Sequence, residues 1–262
     1  MITRAKEALK KTSRLSETVL GFSPIGLKRF ANLPRFLRDV REYRNQDKSG
    51  QFPLRFDQLY PILSDFYEAA GATRGHYFMQ DLWVARQIYK ARPAEHVDIG
   101  SRIDGFIAHV LSFMPLTMID IRPLPVRIEG LNFVQAESAT IAEHFPNGAL
   151  SVSSLHAVEH FGLGRYGDPV DPEGWRKGVE TLKGLVAPGG TLYFSAPVGR
   201  ERVEFNAHRV FSPDTILAAF APLQLAAFAA IGDDGEFSEG GDPRALREAA
   251  YACGIFVFKR AH

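Results

Sequence analysis

Cysteine is nearly missing from this chain, because the 262 residues include only Cys253. A single cysteine excludes a disulfide within the chain and a cysteine-based zinc site. Cys253 lies in the apolar run 252–258, so we predict a small buried core residue rather than a nucleophile. The scarcity of cysteine also fits a reducing compartment.

The chain also lacks long apolar runs and a strong net charge. No stretch of about 18 uninterrupted apolar residues occurs, so no membrane-spanning helix is predicted. The N-terminus has no apolar run followed by a small-residue cleavage site, so no secretory signal is predicted. The net charge is +1, which gives no indication of a nucleic-acid partner. We therefore expect a cytoplasmic protein that binds no nucleic acid.

The charge that is present is unevenly distributed. Residues 1–48 hold twelve basic and five acidic side chains, a net charge of +7 (12 − 5), which leaves −6 for the rest. Apolar residues recur there at helical spacing, although Pro34 interrupts the pattern. Two interpretations stay open. The segment is either a solvated helix packed on the main domain, or a peripheral contact with a partner or an anionic membrane at its inner face.

The hydrophobic pattern predicts three parts: a basic amphipathic helical extension at 1–48, a helical lead-in at 49–92 and an α/β domain at 93–262. Helices are predicted in the lead-in at 59–71 and 76–91. The strands predicted in the α/β domain are 96–99, 116–121, 131–136, 149–155, 191–196, 223–231 and 252–259. The helices predicted there are 103–112, 138–144, 172–186, 213–220 and 243–250. This alternation is typical of a mostly parallel sheet covered by helices on both faces.

Three acidic residues mark the ends of the first three predicted strands. Asp98 ends an apolar strand, and Gly100 follows where backbone must approach a ligand closely. Asp120 ends the next strand, at a spacing that suits a carboxylate bonding ribose hydroxyls. Glu137 ends the third strand, where a polar side chain can meet an adenine. Helix caps and turn formers are the alternative role for these residues.

Together with the stretch 188–193, Pro-Gly-Gly-Thr-Leu-Tyr, these strand ends resemble the class I S-adenosylmethionine-dependent methyltransferases. The stretches 98–106 and 154–168 are similar to a domain-of-unknown-function branch of that superfamily, and the resemblance runs from about residue 77 to residue 259. It implies a Rossmann-like sheet of seven strands with the last one antiparallel. It also implies S-adenosylmethionine as cofactor, with Gly100 near the methionine part, Asp120 at the ribose and Glu137 at the adenine.

The loop after the first strand departs from the usual glycine pattern of that superfamily. Arg102 stands where a second glycine is expected, and Asp104 where a third often stands. The Arg102 side chain must therefore leave the cofactor path, and it is free to hold a carboxylate or phosphate. We count Asp98 and Arg102 with Gly100, Asp120 and Glu137 as candidate cofactor-binding residues.

Histidines follow the fourth and fifth strands, at loops that leave the same carboxyl edge of a parallel sheet. His156 and His160 are four residues apart, and His208 comes after the fifth strand. These three are the catalytic candidates, since imidazole can remove a hydroxyl proton near neutral pH. Metal binding with Glu159 or Asp168 and purely structural hydrogen bonding stay open as alternatives, and no metal is assigned. The histidines at 76, 96, 109, 144 and 262 are expected to be structural.

Other polar residues in these loops predict an acceptor site: Glu159, Arg165, Tyr166, Asp168, Asn206 and Arg209. The leading interpretation is methyl transfer, O-directed, to a small polar or glycan-type acceptor, and the resemblance adds an association of the branch with polysaccharide biosynthesis. One alternative is a methyltransferase-like fold that no longer methylates and acts as a binding or scaffold module in glycan biosynthesis. A second alternative is a nucleotide-sugar site with Arg102 on a phosphate.

Overall fold

The computed structural model of the chain describes residues 30–65, 71, 73, 75–137 and 140–262. The first 29 residues of the basic extension, and residues 66–70 and 138–139 of two predicted helices, lie outside this part. The chain divides into two compact units between Gly71 and Ala72. The division predicted at 48/49 and 92/93 stays a prediction.

The first unit contains helix α1, Leu33–Gln46, none of whose residues is buried. Pro34 lies in its first turn, where a missing N–H breaks no helical hydrogen bond, so this proline begins the helix instead of interrupting it. A single 3-10 turn, Phe56–Gln58, follows. The predicted helix at 59–71 is wrong over residues 59–63, which have no regular structure, because Pro61 lacks an N–H and restricts the residue before it.

The second unit begins with helix α2, His76–Ala91, as predicted. The sheet that follows has eight strands: β1 Val97–Ile99, β2 Leu116–Asp120, β3 Leu131–Gln135, β4 Ala149–Leu155, β5 Val186–Val198, β8 Gln224–Ile231, β9 Phe237–Glu239 and β10 Ala252–Lys259. A separate hairpin pairs β6, Arg202–Glu204, with β7, His208–Val210. Both the hairpin and β9 are additions to the predicted strands.

The strand order of the sheet is β3-β2-β1-β4-β5-β10-β8-β9. Strands β1 to β5 are paired in parallel. Strand β10 is inserted antiparallel between β5 and β8, and β9 extends the far edge. The predicted Rossmann-like class I methyltransferase fold, with the last strand antiparallel, is therefore confirmed, and β9 is an eighth strand beside the expected seven.

Helices cover both faces of the sheet: α3 Ala108–Leu111, α4 Ile141–His144, α5 Gly174–Leu185 and α6 Pro213–Ala219, with 3-10 turns at Val158–His160 and Pro243–Leu246. The helix predicted at 103–112 begins instead as a π-helical turn, Ile103–Ile107. The helix predicted at 243–250 is only a short 3-10 turn. The stretch 188–190 lies inside β5 and not in a turn before it, at the place where the β4–β5 register shifts between Ala149 and Ser151.

Two apolar clusters lie on opposite faces of the sheet. One includes Val152, Leu192 and Phe194, and the other includes Trp83 and Cys253. The prediction of a buried Cys253 is confirmed. Across the described residues, no helix is both long and apolar enough to pass through a membrane. Because β1, β2 and β4 are parallel, their carboxyl ends open on a single edge, where ligands of such sheets bind.

Candidate functional site

A cavity of about 570 Å³ lies at this edge of the sheet. Its wall combines the ends of β1 and β2 with the loop that follows β4. Besides histidines, the ionisable side chains of the wall are four basic and four acidic ones: Arg102, Arg122, Arg165, Lys177, Asp120, Glu137, Asp168 and Asp171. This balance suits a ligand that carries charges of both signs.

Gly100 gives the cavity a stretch of wall without a side chain. Its N–H donates to the Ile119 carbonyl at 2.9 Å, and its φ is +72°. A Cβ added at this position would lie 3.1 Å from the Cβ of Ala157. Both the left-handed backbone and the close approach therefore require glycine, and backbone is open to a ligand here.

Asp98 lies beneath the loop and does not line the cavity. Its carboxylate is fully buried and accepts hydrogen bonds from the N–H and hydroxyl of Ser101, at 3.0 and 2.6 Å, and from the Ser153 hydroxyl. Burial raises the pKa of Asp98 to about 7. The sequence groups Asp98 with the cofactor residues. In the structure its carboxylate instead joins Ser101, in the loop after β1, to Ser153 in β4.

Asp120 lines the cavity from the end of β2, where the sequence predicted it. Its carboxylate is paired with Arg122, whose backbone N–H, Nε and Nη2 donate at 2.8, 2.9 and 2.6 Å. The Arg122 guanidinium also stacks over the Tyr166 ring, 4.7 Å from its centroid. Each carboxylate oxygen has two lone-pair directions, so Asp120 keeps capacity for a further donor.

The two residues that break the glycine pattern, Arg102 and Asp104, bind each other. Nε and Nη2 of Arg102 donate to the two Asp104 oxygens at 3.0 and 2.7 Å. The guanidinium lies 4.8 Å from the centroid of the Tyr77 ring. Arg102 is therefore held at the wall of the cavity by Asp104.

Glu137 follows β3 as an exposed residue at the wall. Apolar side chains also line the cavity, namely Ile99, Ile119, Ile121, Ala136 and Ile141. A wall that combines apolar side chains with a few polar groups is suited to a flat heterocycle that carries polar edge atoms.

His156 follows β4 with a left-handed φ of +50°. Its Nδ1 is 2.7 Å from Oε1 of Glu159, and its Nε2 is 3.2 Å from Nδ1 of His76. Burial alone would lower the pKa of His156, but the Glu159 carboxylate raises it well above the usual value. Burial and the neighbouring His156 lower the pKa of His76 to about 4. His156 lines the cavity, whereas Glu159 does not.

His160 also lines the cavity. Its Nδ1 is 2.7 Å from the Ala207 carbonyl oxygen, which also accepts from Nη1 of Arg165 at 2.8 Å. Its Nε2 is 3.8 Å from Oε1 of Glu159. Burial lowers the pKa of His160. A carbonyl partner requires Nδ1 to carry the proton, so Nε2 has the free lone pair.

His208, the third catalytic candidate, is outside the wall of the cavity. Its ring packs 5.0 Å from that of Tyr251, and its Nε2 is 3.7 Å from Oε2 of Glu204. The structure therefore brings His156 and His160 to one cavity and directs His208 to the β6–β7 hairpin.

The predicted acceptor residues are divided in the same way. Arg165, Tyr166 and Asp168 line the cavity, and Asp168 also orders the loop by accepting from the N–H of Gly162 at 2.8 Å. Asn206 is exposed and not part of the wall. Arg209 is likewise outside the wall, because its Nη1 donates to the Phe161 carbonyl at 2.7 Å and braces the loop.

Sequence reasoning missed several residues of the wall. Arg122 had one available signal, since it stands two residues after Asp120 at a strand end. Tyr77 had none, because α2 precedes the sheet and only the tertiary fold brings it to the cavity. Lys177 and Asp171, joined by an ion pair of 2.8 Å, look in the sequence like ordinary surface residues.

A protein family described as "Caenorhabditis protein of unknown function, DUF268" matches residues 127–230. No curated protein matches the chain. Among solved structures, the chain is similar to the N-methyltransferase NodS from Bradyrhizobium japonicum WM9 in complex with S-adenosyl-L-homocysteine. The identity is 13%, the alignment covers 71% of this chain and 89% of NodS, and the TM-score is 0.49.

Two proteins from Burkholderia thailandensis are also similar. One is 1,6-didemethyltoxoflavin-N1-methyltransferase, solved with 1,6-didemethyltoxoflavin and S-adenosylhomocysteine, at 13% identity over 70% of this chain and 79% of that chain, with a TM-score of 0.47. The other is an O-methyltransferase family protein, at 18% identity over 70% and 55%, with a TM-score of 0.45. The fold assignment itself comes from the strand order of the sheet.

Proposed function

We propose that this protein transfers the methyl group of S-adenosylmethionine to an oxygen atom of a small polar or glycan-type acceptor. The observation that carries the proposal is the shared cavity. Gly100, Asp120 and His160, which come from three separate strand ends, all line it. In an open α/β sheet this edge is the place where nucleotide-type ligands bind.

The residues present fit the cofactor. The remaining lone pair of Asp120 suits a ribose hydroxyl, and Glu137 together with the apolar residues of the wall suits the adenine. The bare backbone at Gly100 suits the methionine part. The equal number of basic and acidic side chains suits a ligand with a carboxylate, an ammonium and a sulfonium group.

When bound, S-adenosylmethionine supplies a methyl group on a positively charged sulfur that an oxygen nucleophile can attack. His160 is placed to take the proton of the acceptor hydroxyl at Nε2, since its Nδ1–H is committed to Ala207. Glu159 Oε1, 3.8 Å away, stabilises the positive charge that His160 then gains. Tyr166 and Arg165 at the wall orient a polar acceptor. Positioning supplies most of the rate, and the base adds a smaller factor.

Isothermal titration calorimetry with S-adenosylmethionine and S-adenosylhomocysteine tests the cofactor. Both ligands should bind the unaltered chain, and Asp120→Ala should weaken both. The matched control is Glu248→Ala, which removes an exposed carboxylate outside the cavity wall and should bind as the unaltered chain does. No heat from either ligand would rule out the proposed methyl transfer.

The acceptor is tested by measuring the release of S-adenosylhomocysteine. Acceptors are offered in pairs, in which one member carries a hydroxyl group and the other carries an amine. Monosaccharides and oligosaccharides form the glycan arm of the panel. His160→Gln should lower kcat by about 10²- to 10⁴-fold and leave cofactor binding unchanged. An equal rate for His160→Gln and the unaltered chain would remove His160 as the base, and turnover of amines alone would remove the O-directed assignment.

The alternative of a nucleotide-sugar site receives less support from the wall. Three of its four basic side chains are already paired with carboxylates: Arg102 with Asp104, Arg122 with Asp120, and Lys177 with Asp171. A diphosphate would need a surplus of basic groups to offset its charge. Titration with a uridine-diphosphate sugar belongs in the same calorimetric series. Binding of that ligand in place of S-adenosylmethionine would favour the alternative.

We also propose that the protein is cytoplasmic and that its basic extension contacts the anionic inner face of a membrane. Helix α1 supports this, because its exposed residues include Arg38, Arg41 and Arg44 as well as the apolar Leu37, which is 54% exposed. Flotation of the full chain with phosphatidylglycerol-containing vesicles tests it. Replacing the three arginines with glutamine should abolish flotation, while Glu42→Gln should not. Equal flotation of all variants contradicts the idea.

A further inference from the structure

Three potential metal ligands meet beside the cavity, and one of them, His156, also lines it. One ring nitrogen of His76, one ring nitrogen of His156 and the Sγ atom of Cys253 all lie within 4.8 Å of one another. They come from the start of α2, the residue after β4 and the start of β10. His156 and Cys253 are buried, and His76 is half-buried. The other histidines and the acids in the described residues form no further group of this kind.

The outer partners of the two imidazoles fix where their protons are. Nδ1 of His156 faces the Glu159 carboxylate at 2.7 Å, and Nε2 of His76 faces the Tyr251 carbonyl oxygen at 3.2 Å. Both partners are acceptors, so both of these nitrogens are the N–H donors. The remaining nitrogens, Nε2 of His156 and Nδ1 of His76, face each other across 3.2 Å, with one proton between them in the metal-free chain. A metal ion that replaces this proton gains a lone pair from each nitrogen.

We propose that His76, His156 and Cys253 bind a zinc ion, in a site of mixed ligands rather than the cysteine-based kind that a single cysteine excludes. Zinc–nitrogen bonds of about 2.0–2.1 Å in tetrahedral geometry separate two ligand nitrogens by about 3.3 Å, close to the 3.2 Å observed. Imidazole with thiolate is a ligand set that selects zinc or copper over magnesium and calcium. Carboxylate and carbonyl partners on the outer imidazole nitrogens are the usual second layer of such sites.

The charges and protons of the site are balanced. In the metal-free chain the Cys253 thiol donates to Oε1 of Gln80 across 3.5 Å. Metal binding displaces that proton and the proton between the two imidazoles to solvent, and leaves a thiolate and two neutral imidazoles. The thiolate and the Glu159 carboxylate together offset the two charges of Zn²⁺. Three protein ligands leave one tetrahedral position for water or another ligand, as in catalytic zinc sites.

The backbone at His156 supports a functional arrangement. Its φ of +50° is uncommon for a residue with a side chain, and a left-handed conformation costs a non-glycine residue about 1–2 kcal/mol. Such a conformation persists where surrounding interactions hold it. The inference does not depend on methyl transfer, because none of its ligands is one of the residues expected to hold the cofactor.

Cobalt provides the test, since Co²⁺ replaces Zn²⁺ and is coloured. The full chain is stripped with a chelator and titrated with Co²⁺. We expect one Co²⁺ per chain, visible bands of tetrahedral cobalt and a near-ultraviolet thiolate-to-cobalt band, all removed by added Zn²⁺. Because the chain has one cysteine, the thiolate band reports Cys253 alone. A folded chain that gives no thiolate band overturns the proposal in favour of a proton shared between the two rings.

Variants sharpen the assignment. Cys253→Ser should remove the thiolate band. Replacing a residue that only contacts a metal ligand weakens metal binding by about 10- to 100-fold. His76→Gln removes a ligand itself, at a half-buried position, so it should weaken Co²⁺ binding by more than that. The control is His144→Gln, an exposed histidine outside the cluster, which should match the unaltered chain. Circular dichroism of each variant checks folding. Co²⁺ binding that is unchanged in folded His76→Gln also overturns the proposal.

Discussion

Acid stability should depend on two fully buried groups that share one chain of hydrogen bonds. His96 lies with Nδ1 2.8 Å from the Ser151 hydroxyl and Nε2 2.9 Å from the Ser153 hydroxyl. The Ser153 hydroxyl donates to Asp98, so it accepts from Nε2–H of a neutral His96. Burial lowers the pKa of His96 to about 3 and raises that of Asp98 to about 7.

The two shifts act on stability with opposite signs. Between pH 6.5 and 3 the unfolded chain holds more protons at residue 96, so the contribution of His96 is full above pH 6.5 and is lost as the pH falls. Between pH 3.8 and 7 the folded chain holds more protons at residue 98, so the contribution of Asp98 is full below pH 3.8 and is lost as the pH rises. One pKa unit corresponds to about 1.4 kcal/mol. From about pH 6.5 to 4.5 the contribution of each group to the free energy of unfolding therefore changes by about 2 kcal/mol, and the two changes cancel because their signs are opposite.

Single variants should expose each contribution. In Asp98→Asn only His96 still titrates, so acidification from pH 6.5 to 4.5 should lower the free energy of unfolding by about 2 kcal/mol more than in the unaltered chain. In His96→Gln only Asp98 titrates, so the same acidification should raise it by about 2 kcal/mol relative to the unaltered chain. Urea denaturation at constant ionic strength, followed by tryptophan fluorescence, measures both.

The comparison between variants removes contributions from all other titrating groups. Glu248→Gln, which replaces an exposed carboxylate, is the control and should follow the unaltered chain at every pH. If the free energies of unfolding of Asp98→Asn and His96→Gln varied with pH in the same way as that of Glu248→Gln, neither His96 nor Asp98 would have a shifted pKa in the folded state. The hydrogen-bonded chain through Ser153 would then be wrongly placed.

Three further outcomes are expected. Gly100→Ala should lower the free energy of unfolding by about 1–2 kcal/mol, measured by urea denaturation, because φ is +72° there and the new Cβ would lie only 3.1 Å from that of Ala157. Asp168→Ala should speed proteolysis within 162–168 while leaving the thermal midpoint nearly unchanged, because it removes acceptors from that loop alone. Cys253 should react with a thiol reagent far more slowly in buffer than in urea, since it is fully buried, and fast labelling of the folded chain would contradict its position in β10.

The edge of the sheet could be predicted because parallel strands end together, but the direction of a side chain at that edge could not. Val97, Asp98 and Ile99 are all buried, so strand β1 shows no alternation that would tell one face from the other. Asp98 is directed toward Ser153 by the pairing of β1 with β4. That register joins residues 55 positions apart, which a local pattern does not encode.

Contacts between distant segments also explain why the role of His76 was missed. In the sequence it is the first residue of an amphipathic helix, and a structural role is the ordinary expectation for it. Its actual neighbours, His156 and Tyr251, follow β4 and precede β10. The hairpin β6–β7 and strand β9 were missed for a different reason, because three-residue strands are too short to show a period of two.

The proposed zinc and cofactor sites should respond separately to mutation, because their binding groups do not overlap. Asp120 is engaged by Arg122, whereas Cys253 contacts Gln80 and the paired histidines. Effects at sites without shared partners add independently. Cys253→Ser should therefore lose the thiolate-to-cobalt band and keep the heat of S-adenosylmethionine binding, and Asp120→Ala should do the reverse. If either variant abolished both signals while remaining folded, the two sites would have to be treated as one.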